Sequence, residues 1–196
     1  MVRDRTEEFA MLIDAQRSVL MVVDVQERLL PVMQDPERVV RSISMLLAGA
    51  ARLSVPVIVT EQYSKGIGPT VAPLREALPT DALVLEKMAF SAAQETVVAD
   101  AVERLRASGR DQLVVAGIEA HVCVLQTALG FRSRGCDIAV VADGVSSRAP
   151  HSVSAATARL LHAGCQWVTT EMVLFEWLGR AGTDDFRSLL PLIKAD

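Results

Sequence analysis

The sequence predicts an α/β fold, a parallel sheet covered by helices on both faces, and two observations carry that expectation. Six short aliphatic runs are apolar at successive positions rather than at every second one, as in strands buried on both sides. Between them lie stretches with apolar residues three and four apart, the spacing of amphipathic helices. Strands alternating with helices imply parallel pairing through right-handed crossovers.

The elements follow in order. Ser18–Asp24 (SVLMVVD) reads as the first strand, and Asp35-Pro36 opens a helix over Glu37–Leu53. Val55–Thr60 is the second strand. Ser64–Pro79, with Gly66, Gly68, Pro69, Pro73 and Pro79, reads as the longest irregular segment, and loops of that length are often functional. Ala82–Glu86 is the third strand, and Ser91 precedes a helix over Gln94–Ser108 that Gly109 ends. The fourth strand is Gln112–Ala116, followed by a helix over His121–Arg134 with Gly135 at its end. Strand Asp137–Ala142, helix Ser152–Ala163 with Gly164 as its stop, and strand Gln166–Thr170 complete the alternation. Glu171–Leu178 (EMVLFEWL) is apolar enough to be a core helix or part of a subunit interface. No repeat, low-complexity tract or linker interrupts the chain, so residues 1–196 read as a single domain.

Composition restricts the function. Twenty basic against 24 acidic residues, a net charge of −4, lack the cationic surface that nucleic acid requires, so no nucleic-acid partner is expected. No run reaches the ~18 apolar residues of a membrane span, and Met1–Arg17 resembles neither a signal nor a transit peptide, so no membrane partner is expected. Three irregularly spaced cysteines argue against a disulfide framework and for a reducing, cytoplasmic setting.

Ligands of open α/β sheets bind beyond the carboxyl ends of the strands, where Asp24, Glu61, Lys87 and Cys123 fall. Asp24 closes five apolar residues, either as a shielded catalytic carboxylate or as a cap for the following turn. Lys87 is either a solvated lysine or a cation at the same edge. Cys123 falls in the first turn of a helix after Gly117, where free N–H groups and the helix dipole are expected to favour thiolate and lower its pKa. Cys136 and Cys165, at strand entries, read as small structural residues at the opposite edge.

The segments VVDVQ, LEKMAFSA and AGIEAHVCVLQTA resemble, in that order, the motifs of the isochorismatase-like cysteine hydrolases, which include nicotinamidases and N-carbamoylsarcosine amidohydrolase. The resemblance spans Ser18 to Leu178. It implies a three-layer α/β/α, Rossmann-like fold with strand order 3-2-1-4-5-6, and a catalytic triad of Asp24, Lys87 and Cys123. It also implies a cis peptide at Ile118–Glu119 and an oxyanion hole formed by the backbone N–H groups of Glu119 and Cys123. The nicotinamidase metal ligands are not matched: Thr60–Thr70 contains no histidine, and His121, His151 and His162 are too scattered, so no metal and no cofactor is expected. The TEQYSKGIGPT stretch resembles the isochorismatase domain-containing proteins. Its readings are a rigid surface loop or a pocket wall of Gln62 and Tyr63 faced by Phe90, with His121 as a further substrate-binding candidate. Asp143–Arg148, at the ligand edge after the fifth strand, reads as turn stabilisation in preference to substrate contact.

The leading expectation is a cofactor-independent cysteine hydrolase acting on a small amide or related carbonyl compound, with relatives commonly homo-oligomeric. Vinyl-ether hydrolysis using Asp24 as the acid is the alternative reaction. A binding or thiol redox-sensing protein is the alternative from another class.

Overall fold

A computed structural model describes residues 12–194. Most of the Met1–Arg17 segment read above for targeting lies outside them. All six predicted strands form: β1 (Ser18–Val23), β2 (Val57–Gln62), β3 (Leu83–Lys87), β4 (Gln112–Ile118), β5 (Asp137–Ser146) and β6 (Gln166–Val168). They make one parallel sheet in the order β3-β2-β1-β4-β5-β6.

The apolar runs have the reason inferred from sequence. Every residue of β1 and β4 is buried. Leu20 and Val22 pack into one core layer, whereas Val19, Met21 and Val23 pack into the other. The first layer is closed by α1 (Pro36–Leu53), whose Val39, Ile43, Leu46, Leu47 and Ala50 share one stripe. Asp35 starts this helix by accepting the Arg38 N–H, and Pro36 fits the first turn, where its missing N–H costs nothing.

Between β2 and β3 lie the short α2 (Ser64–Ile67) and α3 (Ala72–Ala77), so the segment read as irregular contains two helices. Two glycines and three prolines within 64–79 masked them, although Pro73 is accommodated in the first turn of α3. The opposite core layer is closed by α4 (Thr96–Ala107), α5 (Leu125–Arg132) and α6 (Pro150–His162). The Glu171–Leu178 stretch lies in α7 (Thr170–Leu178). Val173, Leu174 and Trp177 are buried in the α1 layer, and Trp177 Nε1 donates to Ser18 Oγ at 2.9 Å. Met172 and Phe175 remain exposed on the same helix. A last helix, α8 (Asp184–Ile193), follows.

β5 is longer than predicted because the ladder shifts register between Val115 and Gly117 and then resumes to Ser146. Asp143 therefore lies within the strand, where its Oδ1 accepts the Thr170 N–H at 2.8 Å. The Arg38 guanidinium donates to Ala142, Asp143 and Val145 carbonyls, satisfying the irregular stretch. Among the described residues no helix is long and apolar enough to cross a membrane.

Candidate active site

Strand order places β1 beside β4, with β2 and β5 outside them, so the order in which strands are added to the parallel sheet reverses between the two central strands. Asp24 follows β1 directly and adopts φ 53°, a left-handed turn that aspartate tolerates better than most residues. Its N–H donates to Thr60 O and its carbonyl accepts from Gln26 N, which fixes the side chain at the lip of the sheet. Gly117 makes this close approach possible. At φ 125°, a Cβ there would lie 2.1 Å from Val23 O.

Both Asp24 and Lys87 are removed from water, with no exposed side-chain surface, and Lys87 Nζ stands 2.7 Å from Asp24 Oδ2. Thr60 Oγ1 donates to the other carboxylate oxygen at 2.7 Å. Lys87 Nζ also donates to Gln62 Oε1 (2.6 Å) and to the carbonyls of Ala89 and Phe90 (3.2 Å each). Because a carboxylate, an amide oxygen and two carbonyls surround the ammonium, its charge is directed at Asp24 without being left unpaired.

Cys123 faces both charged groups from the turn after β4. Its thiol lies within electrostatic reach of both Asp24 and Lys87. Burial and the adjacent Asp24 carboxylate push the thiol up to about 12 against the partial offset of Lys87, so the expected lowering is corrected. Cys123 sits in a wide π-helical turn, Ala120–Val124, and α5 begins only at Leu125. The local dipole is therefore outweighed by burial first and by the nearby Asp24 carboxylate second. Burial also raises the Asp24 carboxyl, and Lys87, Thr60 and Cys123 pull in the opposite direction. Cys136 and Cys165 are buried at the entries of β5 and β6, and burial raises both thiols.

The Ile118–Glu119 peptide is cis. Glu119 Oε2 accepts from both the backbone N–H and Nε of Arg148, at 3.1 Å each. His121 is half-buried, with Nδ1 3.0 Å from Ser147 Oγ. Gln62 is turned inward: Oε1 serves Lys87 and Nε2 donates to Met88 O at 2.8 Å. Gln26, the last residue of VVDVQ, grips the Gln62 backbone, accepting its N–H (2.8 Å) and donating to its carbonyl (3.0 Å). Tyr63 and Phe90 stand exposed at the same edge, beside the backbone that Lys87 holds. Glu61 lies inside β2 and secures the loop by accepting the Thr70 N–H and Oγ1–H at 2.7 Å.

Thr60 and Gln26 were not recognised as site residues from sequence, and Ser147 and Arg148 were read within a turn-stabilising segment at the ligand edge. Thr60 had a usable signal, since it closes an apolar run one strand away from Asp24. The other contacts depend on pairings 26 to 36 residues apart. Among the described residues no cluster of three or more His, Cys, Asp or Glu side chains could hold a metal ion.

The parallel sheet, its central switch point and the thiol, carboxylate and ammonium near it define a doubly wound α/β domain with its polar groups at the strand ends. An isochorismatase domain matches residues 18–172, and the chain belongs to the isochorismatase family of hydrolases. It is 36% identical over 157 residues to isochorismatase domain-containing protein 2 of Danio rerio, covering 79% of this chain and 76% of that one. Among solved structures, the MAR1 ribonuclease of Caenorhabditis elegans superposes with a TM-score of 0.87 at 32% identity, over 93% of this chain and 92% of that one. The Escherichia coli YcaC product, described as an octameric hydrolase of unknown specificity, gives 0.84 at 26% identity over 93% and 90%.

Proposed function

We propose that this protein is a cofactor-independent cysteine hydrolase acting on a small amide or related carbonyl compound. The supporting observation is the fully buried Asp24–Lys87 pair, 2.7 Å apart, at the strand ends, with the buried Cys123 thiol within electrostatic reach of both groups. Asp24 takes the Sγ proton as Sγ bonds to the carbonyl carbon, and the backbone N–H groups of Glu119 and Cys123 receive the developing oxyanion. Asp24 then gives that proton to the leaving nitrogen as the C–N bond breaks, leaving a Cys123 thioester. Water, deprotonated by Asp24, attacks the thioester carbon, and the departing sulfur recovers a proton from Asp24. Lys87 orients Asp24 and compensates charge throughout. Tyr63, Phe90 and His121 are the proposed substrate-contacting residues at the rim, while Gln62 acts through Lys87.

The buried Asp24 carboxyl, raised toward its protonated form, also suits the acid of vinyl-ether hydrolysis. The two readings part at Cys123. Ammonia release from a panel of small amides should vanish in both Cys123→Ala and Asp24→Asn, with a Cys123 acyl adduct visible by intact mass in the wild type. Full turnover by Cys123→Ala would refute the thioester route, and such turnover on isochorismate would establish the acid route. The octamer described for YcaC supports a homo-oligomer here, which light scattering on the purified chain would test.

A further inference from the structure

The segment leaving β5 is fastened on two sides. On one, Ser146 Oγ donates to Gln34 O (2.6 Å), Gln34 N to Ser147 O (3.1 Å), and Gln34 Nε2 to Arg148 O (3.0 Å). On the other, it holds the turn that carries the nucleophile: Ser147 Oγ meets His121 Nδ1, and Arg148 grips Glu119 Oε2 through its N–H and Nε. Residues 146–148 thus strap the cysteine turn to the loop that leaves β1. An exposed arginine closes this strap. Its side chain is 65% exposed, whereas that of Glu119 is only 13% exposed.

We propose that Arg148 is a positioning residue for the Cys123 turn, acting through the Glu119 carboxylate. The proposal rests on Cys123 being the nucleophile. A surface ion pair alone contributes little stability. This one is attached to the residue whose own N–H is the proposed oxyanion donor, four positions before the thiol, where small displacements change rate far more than stability. The Arg148 backbone N–H keeps its bond to Glu119 in any side-chain variant, so loss of the guanidinium should loosen the turn without unfolding it.

The test uses 4-nitrophenyl acetate, a neutral acyl donor offering no anionic group for Arg148 to bind. Acetyl transfer forms the Sγ–C bond, breaks the ester C–O bond to release 4-nitrophenolate, and leaves the thiol proton on Asp24. Arg148→Ala should acetylate Cys123 about tenfold more slowly with KM within twofold of wild type, and Arg148→Lys should recover part of the rate. Amide hydrogen exchange over residues 119–124 should rise in Arg148→Ala, with the strand amides unchanged. Equal acetylation rates in all variants, an unchanged exchange pattern, or a KM effect with kcat retained would overturn the proposal, the last by making Arg148 a substrate contact. Absence of any Cys123 adduct in the wild type would instead overturn the thioester mechanism.

Discussion

Replacing Lys87 with Met tests the electrostatics of the site independently of any substrate. The substitution nearly preserves volume but leaves the Asp24 carboxylate buried, with Thr60 Oγ1 as its remaining strong polar neighbour besides the thiol. It also strips a donor from Gln62 Oε1 and from the carbonyls of Ala89 and Phe90. Breaking a buried pair from one side costs about 3–5 kcal/mol, so with a urea slope of ~2 kcal/mol/M the unfolding midpoint should fall by about 2 M at pH 8. The pH dependence carries the sign. Asp24 is raised from 3.8 in the folded wild type, so its contribution is fully present below that value and lost as pH rises through the raised one. Removing Lys87 deletes the largest influence holding that value down, so the gap between wild type and variant should widen as pH rises through the raised wild-type value, where only the wild type gives up the proton in the folded state. Asp24→Asn combined with Lys87→Met should restore much of the loss, because no buried charge remains. A gap below ~1 kcal/mol, or one equal at pH 5 and pH 8, would refute the assignment of a compensated buried pair.

Alkylation of Cys123 by iodoacetamide, followed by peptide mapping, should keep accelerating through pH 10, since the thiol is pushed up to about 12; a plateau below pH 8 would contradict this. Asp24→Asn removes the carboxylate that raises the thiol and retains Lys87, so labelling at pH 8 should quicken by roughly tenfold or more, one pKa unit being tenfold in thiolate. Gly117→Ala should abolish soluble folding or cost more than ~4 kcal/mol by thermal denaturation, because the added Cβ meets Val23 O at 2.1 Å in a left-handed conformation; a near-native melting temperature would refute the close approach.

What was legible in the sequence was whatever a strand end announces by itself. Asp24 and Lys87 each close an aliphatic run, and Gly117 with Cys123 stands just beyond one. Parallel pairing brings those ends together at the switch point, so residue order largely determined the gathering of the triad. Contacts set by register were not legible. Thr60, closing its apolar run, could be placed at the strand ends, but its bond to Asp24 follows from the pairing of Val23 with Thr60, which the run alone does not announce. The helix α8 had a readable start in Thr183 followed by Asp184 and Asp185, with Phe186, Leu189, Leu190 and Ile193 at helical spacing; Pro191 inside it hid the pattern. The thiol pKa differs for a related reason: a local dipole argument takes no account of the burial of Cys123, nor of a carboxylate 99 residues away in sequence but near it in the fold.

That difference bears directly on the proposed chemistry. A preformed thiolate would place two anions, Sγ and the Asp24 carboxylate, around the single Lys87 ammonium in a water-poor site. With the thiol protonated, Asp24 and Lys87 already balance, and moving the Sγ proton to Asp24 leaves the net charge of the three groups at zero. The raised thiol and the raised carboxyl are thus two consequences of one constraint: the site favours one negative charge and can place it on either acceptor. On this reading, attack is coupled to proton transfer. Negative charge leaves Asp24 and arrives at the oxyanion donors of Glu119 and Cys123 as the Sγ–C bond forms. The Lys87 ammonium remains the fixed counter-charge, which is why its four oxygen partners matter more than its reach toward substrate.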